Sequence, residues 1–281
     1  MMKKLIKYEM RSMLRLFLPL WPSLILLSII NHFTLRADFY SDTVASRILE
    51  ALVMILMFLY VVLIMAIGIV ALIVMIRRFY VGLLRDEGYL MFTLPVKTSQ
   101  IIWSKLISAV ILTAITGIVC MISVFIMALD KEVIKELFTM LQIAEQQVGN
   151  ISWLLVQFLI AGVLTSLISA VSAILMAYCS MAIGQTVNKH KLGMSIVIYI
   201  AISTALSTVF SFFTTVVMFA AGTGDRLVNW IDQLFANGFT AAGASTFLWA
   251  ASGIAILIGA VQIAVFYFLT HFMLKNKLNL E

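Results

Sequence analysis

Two groups of side chains in this sequence have types and spacings that make them candidates for a binding role. An acidic pair, Asp86 and Glu87, stands in the otherwise apolar piece between Gly82 and Leu94. A second group consists of hydroxyl residues that recur at intervals of four, which places them on one face of a helix: Ser203, Ser207, Ser211 and Thr215. Both groups offer charge or hydrogen bonds, and neither contains a nucleophile beside a base.

Residues that would mark an enzyme or a metal site are scattered. Cys120 and Cys179 both fall inside apolar runs, which favours packing over a disulfide, and the three histidines lie far apart in the sequence. Their spacing fits no zinc pattern. The chain also lacks the G-x-x-x-x-G-K-[ST] motif that cradles nucleotide phosphates. We therefore expect no metal site, no catalytic residues and no cofactor bound by this chain.

The composition is that of a membrane protein. Hydrophobic residues make up 63% of the 281 residues, charged residues only 11%, and the mean hydropathy is +1.10. Soluble domains are about half apolar and a quarter charged. The net charge of +6 comes from basic residues beside apolar runs rather than from a stripe with interleaved aromatics. Nucleic acid is therefore not an expected partner, and the lipid bilayer is.

The apolar runs predict an all-α polytopic membrane protein in one domain, 1–281. A bilayer-spanning helix needs about 20 apolar residues, and six runs qualify: 16–35, 51–76, 106–129, 151–183, 194–221 and 246–274. Before the first span, Met1–Arg15 has basic residues at every fourth position, which predicts an interfacial helix. The loop 130–150 has apolar residues at helical spacing and predicts a short surface helix. Segment 222–245 mixes charges with large apolar residues and is expected to be re-entrant or half-buried.

The basic residues are distributed unequally between the two sides of the membrane. Fourteen of the 19 Lys and Arg residues flank one side, including five in Arg77–Lys105, and five flank the other. Because cytoplasmic loops carry the excess of positive charge, this count predicts that both termini and Arg77–Lys105 are cytosolic.

No Asp, Glu, Lys or Arg falls inside any of the six predicted spans. Ion-driven transporters generally need ionisable groups or broken-helix ion sites at mid-membrane, so a pump with these spans would need an external energy source. The hydroxyl row from Ser203 to Thr215 has two interpretations, close helix packing or the lining of a pathway for amphiphilic cargo. Gln157 and Gln262 likewise fit either polar contacts between helices or contacts with cargo.

The cytosolic stretch contains a candidate docking element. Residues Gly82–Leu94 have apolar positions around the acidic pair Asp86–Glu87, and Pro95 ends any helix there. A short helix with an exposed acidic end can dock into a groove on a soluble partner. The alternative is an ordinary amphipathic loop.

The run EGYLMFTLPVKTSQIIWSK, Glu87–Lys105, resembles the cytoplasmic segment between spans two and three of ABC-2 type transporter permeases. In that family an acidic residue and Gly precede a Leu-rich helix, a Pro-Val turn, a polar or basic pair, two aliphatic residues and a small residue with Lys. Ser104 stands where many members have Gly. The matching residues are Glu87, Gly88, Leu90, Leu94, Pro95, Val96, Lys97, Ile101, Ile102, Ser104 and Lys105.

The resemblance implies the membrane subunit of a bacterial exporter in the plasma membrane. It implies two partners: separate cytosolic ATPase subunits that bind ATP and Mg, and a second permease half, as a homodimer or heterodimer. The cargo would be a peptide, a drug or a lipid-like molecule. The residues expected to couple to the ATPase are Asp86, Glu87, Gly88, Tyr89, Leu90, Phe92 and Pro95. The competing hypotheses are a non-transporting scaffold or immunity protein and, with less support, an ion-coupled secondary transporter.

Overall fold

The structure, a computed structural model, describes residues 2–36, 44–84, 98–128, 130–186, 191–220 and 241–276. Nearly all of these residues lie in seven α-helices, six of which are long and apolar enough to cross a membrane. The helices are α1 (Met2–Thr34), α2 (Val44–Leu84), α3 (Thr98–Ala128), α4 (Lys131–Val148), α5 (Ile151–Gly184), α6 (Lys191–Ala220) and α7 (Ala241–Asn276). The predicted all-α fold with six spanning helices is confirmed at this level.

Each predicted span lies in a separate helix, but the helices are longer than the spans. α2 has 41 residues, whereas its uncharged part, 51–76, is much shorter. At 1.5 Å per residue α2 is about 60 Å long, about twice the thickness of a bilayer's hydrocarbon core. The helix ends that carry charges therefore project beyond the apolar runs on which the span predictions were based.

α1 differs from the sequence prediction. The interfacial helix predicted for Met1–Arg15 is not separate from the first span, because one continuous helix runs from Met2 to Thr34 with Pro19 and Pro22 inside it. Each proline removes only one backbone hydrogen bond, and membrane helices tolerate such losses when neighbouring helices support them. α1 has this support, since it packs chiefly on α3 and also on α2.

The first compact unit, Met1–Lys135, contains α1, α2 and α3. Hydrogen bonds between buried side chains and neighbouring helices hold these helices together. Asn31 on α1 is fully buried and donates from Nδ2 to the Leu56 carbonyl of α2 at 3.3 Å. The buried hydroxyls of Tyr60 on α2 and Ser123 on α3 share a hydrogen bond of 2.9 Å. Both bonds satisfy polar groups that lipid could not solvate.

The second compact unit, Glu136–Glu281, contains α5, α6 and α7. α5 is the central helix, and it packs most extensively on α7 and also on α6. Small residues permit both approaches: Gly184 of α5 lies against the backbone of Ser195 in α6, and Gly259 of α7 lies against the side chain of Ile168. α6 is the least enclosed of the three, since its most apolar window contains no buried residue.

α4 confirms the helix that the sequence predicted for the loop 130–150. It presents exposed apolar side chains at helical spacing, with Leu137 and Phe138 three and four residues after Ile134. Two residues with left-handed backbone, Gly149 at φ 67° and Asn150 at φ 47°, form the turn into α5. Gly and Asn are the residues that adopt this conformation most readily, which explains the sharp end of α4.

Two sequence predictions fall largely outside the described residues. The docking element predicted after α2 corresponds mostly to 85–97, and most of the predicted re-entrant segment corresponds to 221–240. The last residues of that segment are described, and they form the beginning of α7 at Ala241. The final helix therefore begins earlier than the span predicted from 246.

Candidate functional sites

Every residue predicted to couple to an ATPase lies between the end of α2 and the beginning of α3. These seven, from Asp86 to Pro95, are outside the part of the chain that the structure describes. The structure does describe the two helix ends between which they lie, α2 as far as Leu84 and α3 from Thr98. The contacts made by these two helix ends are therefore what the structure describes on either side of the predicted docking segment.

A buried ion pair lies beside those helix ends. Lys105 Nζ of α3 is 2.7 Å from Glu9 Oε1 of α1, and the two side chains are only 2% and 11% exposed. The same ammonium donates at 3.0 Å to the Arg78 carbonyl oxygen of α2. One buried cation thus binds all three helices of the first unit.

Gly82 gives the ammonium its space. A Cβ at this position would lie 2.7 Å from Lys105 Nζ, closer than such atoms approach one another in proteins. The missing side chain therefore lets the Lys105 side chain pass across α2 to reach the Arg78 carbonyl. The other carboxylate oxygen, Glu9 Oε2, is buried and has no hydrogen-bond partner among the described residues.

Sequence reasoning missed this ion pair because it treated Lys105 as the boundary of a span. One signal for it was present: Glu9 is the only acidic residue in a stretch that holds five basic ones before Leu16. An isolated carboxylate in a basic helix is a candidate partner for a cation elsewhere in the chain. Its sequence separation from Lys105, 96 residues, left the partner undetermined.

A second ionic contact lies at the opposite end of the same helices. Arg36 Nε, just beyond α1, is 3.0 Å from Asp130 Oδ2, just beyond α3, and both side chains are partly exposed. The Nε–H does not point at that oxygen, so the contact is electrostatic rather than a hydrogen bond. Arg36 Nη1 also donates to the His32 carbonyl at 2.7 Å.

These two contacts bracket a length close to that of a membrane. Glu9 and Arg36 are separated by about 40 Å along a helix at 1.5 Å per residue, and Lys105 and Asp130 by about 38 Å at the same rise. A bilayer with its headgroups is about 40–45 Å thick. The contacts join the beginnings of α1 and α3 to each other and their ends to each other, so the two helices run parallel over a length close to the thickness of a bilayer.

The hydroxyl row on α6 is exposed along its whole length. Ser207, Ser211 and Thr215 line an open groove of about 550 Å³, whose described lining belongs to α6 alone. Ser207 and Thr215 donate to carbonyls of their own helix at 2.9 and 2.8 Å. Among the described residues, the part of the row from Ser207 to Thr215 is therefore an exposed surface of α6 rather than a contact with α5 or α7.

Ser203 lies apart from the other three, in a cavity of about 440 Å³ between α5, α6 and α7. The same cavity contains Gln262, whose Oε1 accepts a 2.8 Å hydrogen bond from the buried Ser172 hydroxyl of α5. Gln262 is therefore a polar contact between helices and also a cavity residue. Sequence reasoning found Gln262 but could not place it beside Ser203.

The remaining candidates form no site of their own. Gln157 is half-buried on α5, and its Oε1 has no partner in the described part of the chain. Cys179 is buried on α5, whereas Cys120 is half-buried on α3. Among the described residues no group of His, Cys, Asp and Glu is arranged to hold a metal ion.

No protein-family model matches this chain, and neither a curated protein nor a solved structure shows significant similarity to it.

Proposed function

We propose that this chain is the membrane-spanning subunit of an ATP-driven exporter of the ABC-2 type. The observation that carries the proposal is the position of the Glu87–Lys105 pattern. It begins between the second and third of six long apolar helices and continues into the beginning of the third, on the side where basic residues are concentrated. A cytosolic ATPase that docks there would contact the residues on which two membrane helices end and begin.

In this proposal the chain works as one half of a homodimer or heterodimer in a bacterial plasma membrane. Separate ATPase subunits bind ATP and Mg and push on the Gly82–Pro95 segment when they close. The displacement passes to α2 and α3, tilts the helices and alternates access to a pathway for an amphiphilic peptide, drug or lipid-like cargo. Ser207, Ser211 and Thr215 on the exposed face of α6 line that pathway.

Lys105 supports this mechanism physically. Because its ammonium is bonded to α1 and to α2, the beginning of α3 cannot move without affecting the other two helices. A push at the segment between α2 and α3 would therefore reach all of the first unit. The absence of charge from the middle of the described spanning helices supports an external energy source over an ion gradient.

The experiment is co-purification of the tagged chain from its source cells, with the bound ATPase activity measured. We expect Asp86→Ala with Glu87→Ala to leave membrane insertion intact and to reduce both the co-purifying ATPase and transport. The matched control removes two carboxylates on α4, Glu132→Ala with Glu136→Ala, which the charge count places on the other side of the membrane. This control should retain the ATPase.

Unchanged co-purification and transport in the Asp86/Glu87 variant would contradict the docking role. A wild-type chain that never binds an ATPase would instead favour a scaffold or immunity protein. Uptake that persists without ATP and collapses with the ion gradient would favour a secondary transporter.

A further inference from the structure

A cavity of about 440 Å³ opens between α5, α6 and α7, and we propose that it binds a neutral amphiphilic molecule through a secondary amide. Its volume falls within the range of small-molecule sites, about 300–1,000 Å³. Its polar lining consists of Ser169, Ser172, Ser203 and Gln262, and its other lining residues are apolar or glycine. None of the described lining residues carries a charge.

Three of these polar groups have unused hydrogen-bonding capacity. Hydroxyls in membrane helices commonly donate to a carbonyl of their own helix, and neighbours such as Ser166 and Thr204 do so. The hydroxyls of Ser169 and Ser203, by contrast, make no hydrogen bond within the described residues. Gln262 uses Oε1 to accept from Ser172, and its Nε2 donates to no described residue. One amide donor and two hydroxyls therefore remain available to a ligand.

The cavity lies deep in the predicted spans, where unused hydrogen-bonding groups have no water to bind. Ser172 lies twelve residues before the end of α5 at Gly184, which is about 18 Å along the helix. That depth is inside a hydrocarbon core about 30 Å thick. Polar groups that lack partners there are costly, because lipid tails offer no hydrogen bonds. A ligand that supplies the missing partners is therefore favoured over a hydrocarbon chain.

A secondary amide matches these groups. Its carbonyl accepts from Gln262 Nε2, and its N–H donates to the hydroxyl oxygen of Ser203 or Ser169. The alkyl part of the molecule would lie on the apolar lining, which includes Met176, Leu206 and Phe210. A carboxylate or ammonium is disfavoured because the described lining offers no opposite charge. Secondary amides occur in N-acylated lipids and in apolar peptides, and the test distinguishes these sources.

This inference rests on the proposed function in one respect: only if the chain is an exporter is the bound molecule its cargo. Binding itself requires neither ATP nor an ATPase. A failure to bind and a failure to transport are therefore separate results.

The test uses the purified full chain in lipid nanodiscs and a diazirine-bearing N-methyl fatty amide as the probe. After photolysis, mass spectrometry locates the labelled residues and gives the half-saturating probe concentration. Two reference probes have the same chain length: a diazirine alkane without a polar group and a diazirine fatty acid. Competition by unlabelled N-methyl fatty amide or by a blocked tri-leucine peptide distinguishes lipid from peptide.

We expect saturable labelling of the α5, α6 and α7 cavity residues by the amide probe only. Ser169→Ala with Ser203→Ala should raise its half-saturating concentration about five-fold or more, as expected for lost hydrogen bonds. This variant leaves no buried group unpaired, so it should fold normally. Gln262→Leu should weaken binding further, although it also removes the partner of Ser172. Gln157→Leu and Ser166→Ala, which lie on α5 outside the cavity, are the matched controls and should bind like wild type.

Equal labelling by the alkane probe would overturn the proposal, as would unchanged binding in the Ser169/Ser203 variant. Labelling confined to residues outside the cavity would overturn it too. If the amide probe binds as expected but no ATPase co-purifies with the chain, the binding site stands and the exporter proposal fails.

Discussion

At the scale of single residues, Lys105 differs from every other described charge in the chain. Its side chain is almost completely buried, and its ammonium is held by a carboxylate and a carbonyl from two other helices. A buried charge is tolerated when such partners replace its lost hydration, but removal of one partner leaves the other uncompensated. Lys105 and Glu9 should therefore behave as one unit when they are mutated.

Lys105→Met is expected to destabilise the protein by about 3–5 kcal/mol, because the Glu9 carboxylate would stay buried without a cation. Glu9→Gln combined with Lys105→Met should cost clearly less than Lys105→Met alone, since no buried charge then remains. Thermal unfolding in detergent, followed by intrinsic fluorescence, measures the three variants.

Lys7→Met is the control, because Lys7 is an exposed lysine on the same helix as Glu9. It should unfold close to the wild-type temperature. If Lys105→Met alone were as stable as wild type, or less damaging than the double variant, the ion pair would have no structural role.

At the scale of helices, the end of α5 and the beginning of α6 approach each other closely at Gly184 and Ser195. A methyl group on Gly184 would lie 2.9 Å from both the Cα and the backbone nitrogen of Ser195. Backbone atoms cannot rotate away as a flexible side chain can. The two helices could accommodate Cβ only by moving apart, which would disrupt their contacts near Ser195.

Gly184→Ala should therefore destabilise the protein by about 1–3 kcal/mol, the usual cost of overpacking. Gly162→Ala is the matched control on the same helix, because a Cβ there would meet nothing within 4 Å. Alanine has the higher helix propensity, so this control should be neutral or slightly stabilising. The measurement is the unfolding temperature of each variant relative to wild type. An equal shift in Gly184→Ala and Gly162→Ala would contradict the close approach of Gly184 to Ser195.

The helices also show what the sequence could and could not predict. All six spanning helices were predictable because apolar runs of this length have few alternatives, and α4 was predictable from its apolar spacing. The continuity of α1 through Arg15 and the length of α2 beyond Ile76 were not. Charged residues mark where a helix leaves the apolar layer, which is not where the helix ends.

The cavity in the second unit was only partly predictable. Helical spacing identified Ser203, and Gln262 stood out as a polar residue in an apolar span. It could not identify Ser169 and Ser172, because a serine in an apolar helix most often bonds to its own backbone. Which serines face a neighbouring helix depends on the relative rotation of α5, α6 and α7, and that is a tertiary property.

At the scale of the whole molecule, the distribution of Lys and Arg predicts that both termini are cytosolic. Single cysteines introduced at exposed positions, in a background lacking Cys120 and Cys179, test this orientation in intact cells. An impermeant maleimide should label Gln142→Cys on α4 without treatment, and Thr186→Cys, which follows α5, only after permeabilisation. Both positions are exposed in the structure.

The reverse labelling pattern would place the termini outside and the Arg77–Lys105 stretch with them. Docking of a cytosolic ATPase there would then be impossible. The experiment thus tests whether the Arg77–Lys105 stretch is cytosolic, which the proposed function requires whatever the partner or cargo.

The two ionic contacts of α1 and α3 also fix the vertical register of these helices. α1 has its acid at one end and its base at the other, and the α3 side has the opposite order. A slip of one turn, about 5.4 Å, would separate both pairs at once, and an antiparallel arrangement would bring like charges together. α1 and α3 should therefore move as a single rigid body in any conformational change, and the bond from Lys105 to the Arg78 carbonyl ties α2 to that body near Gly82.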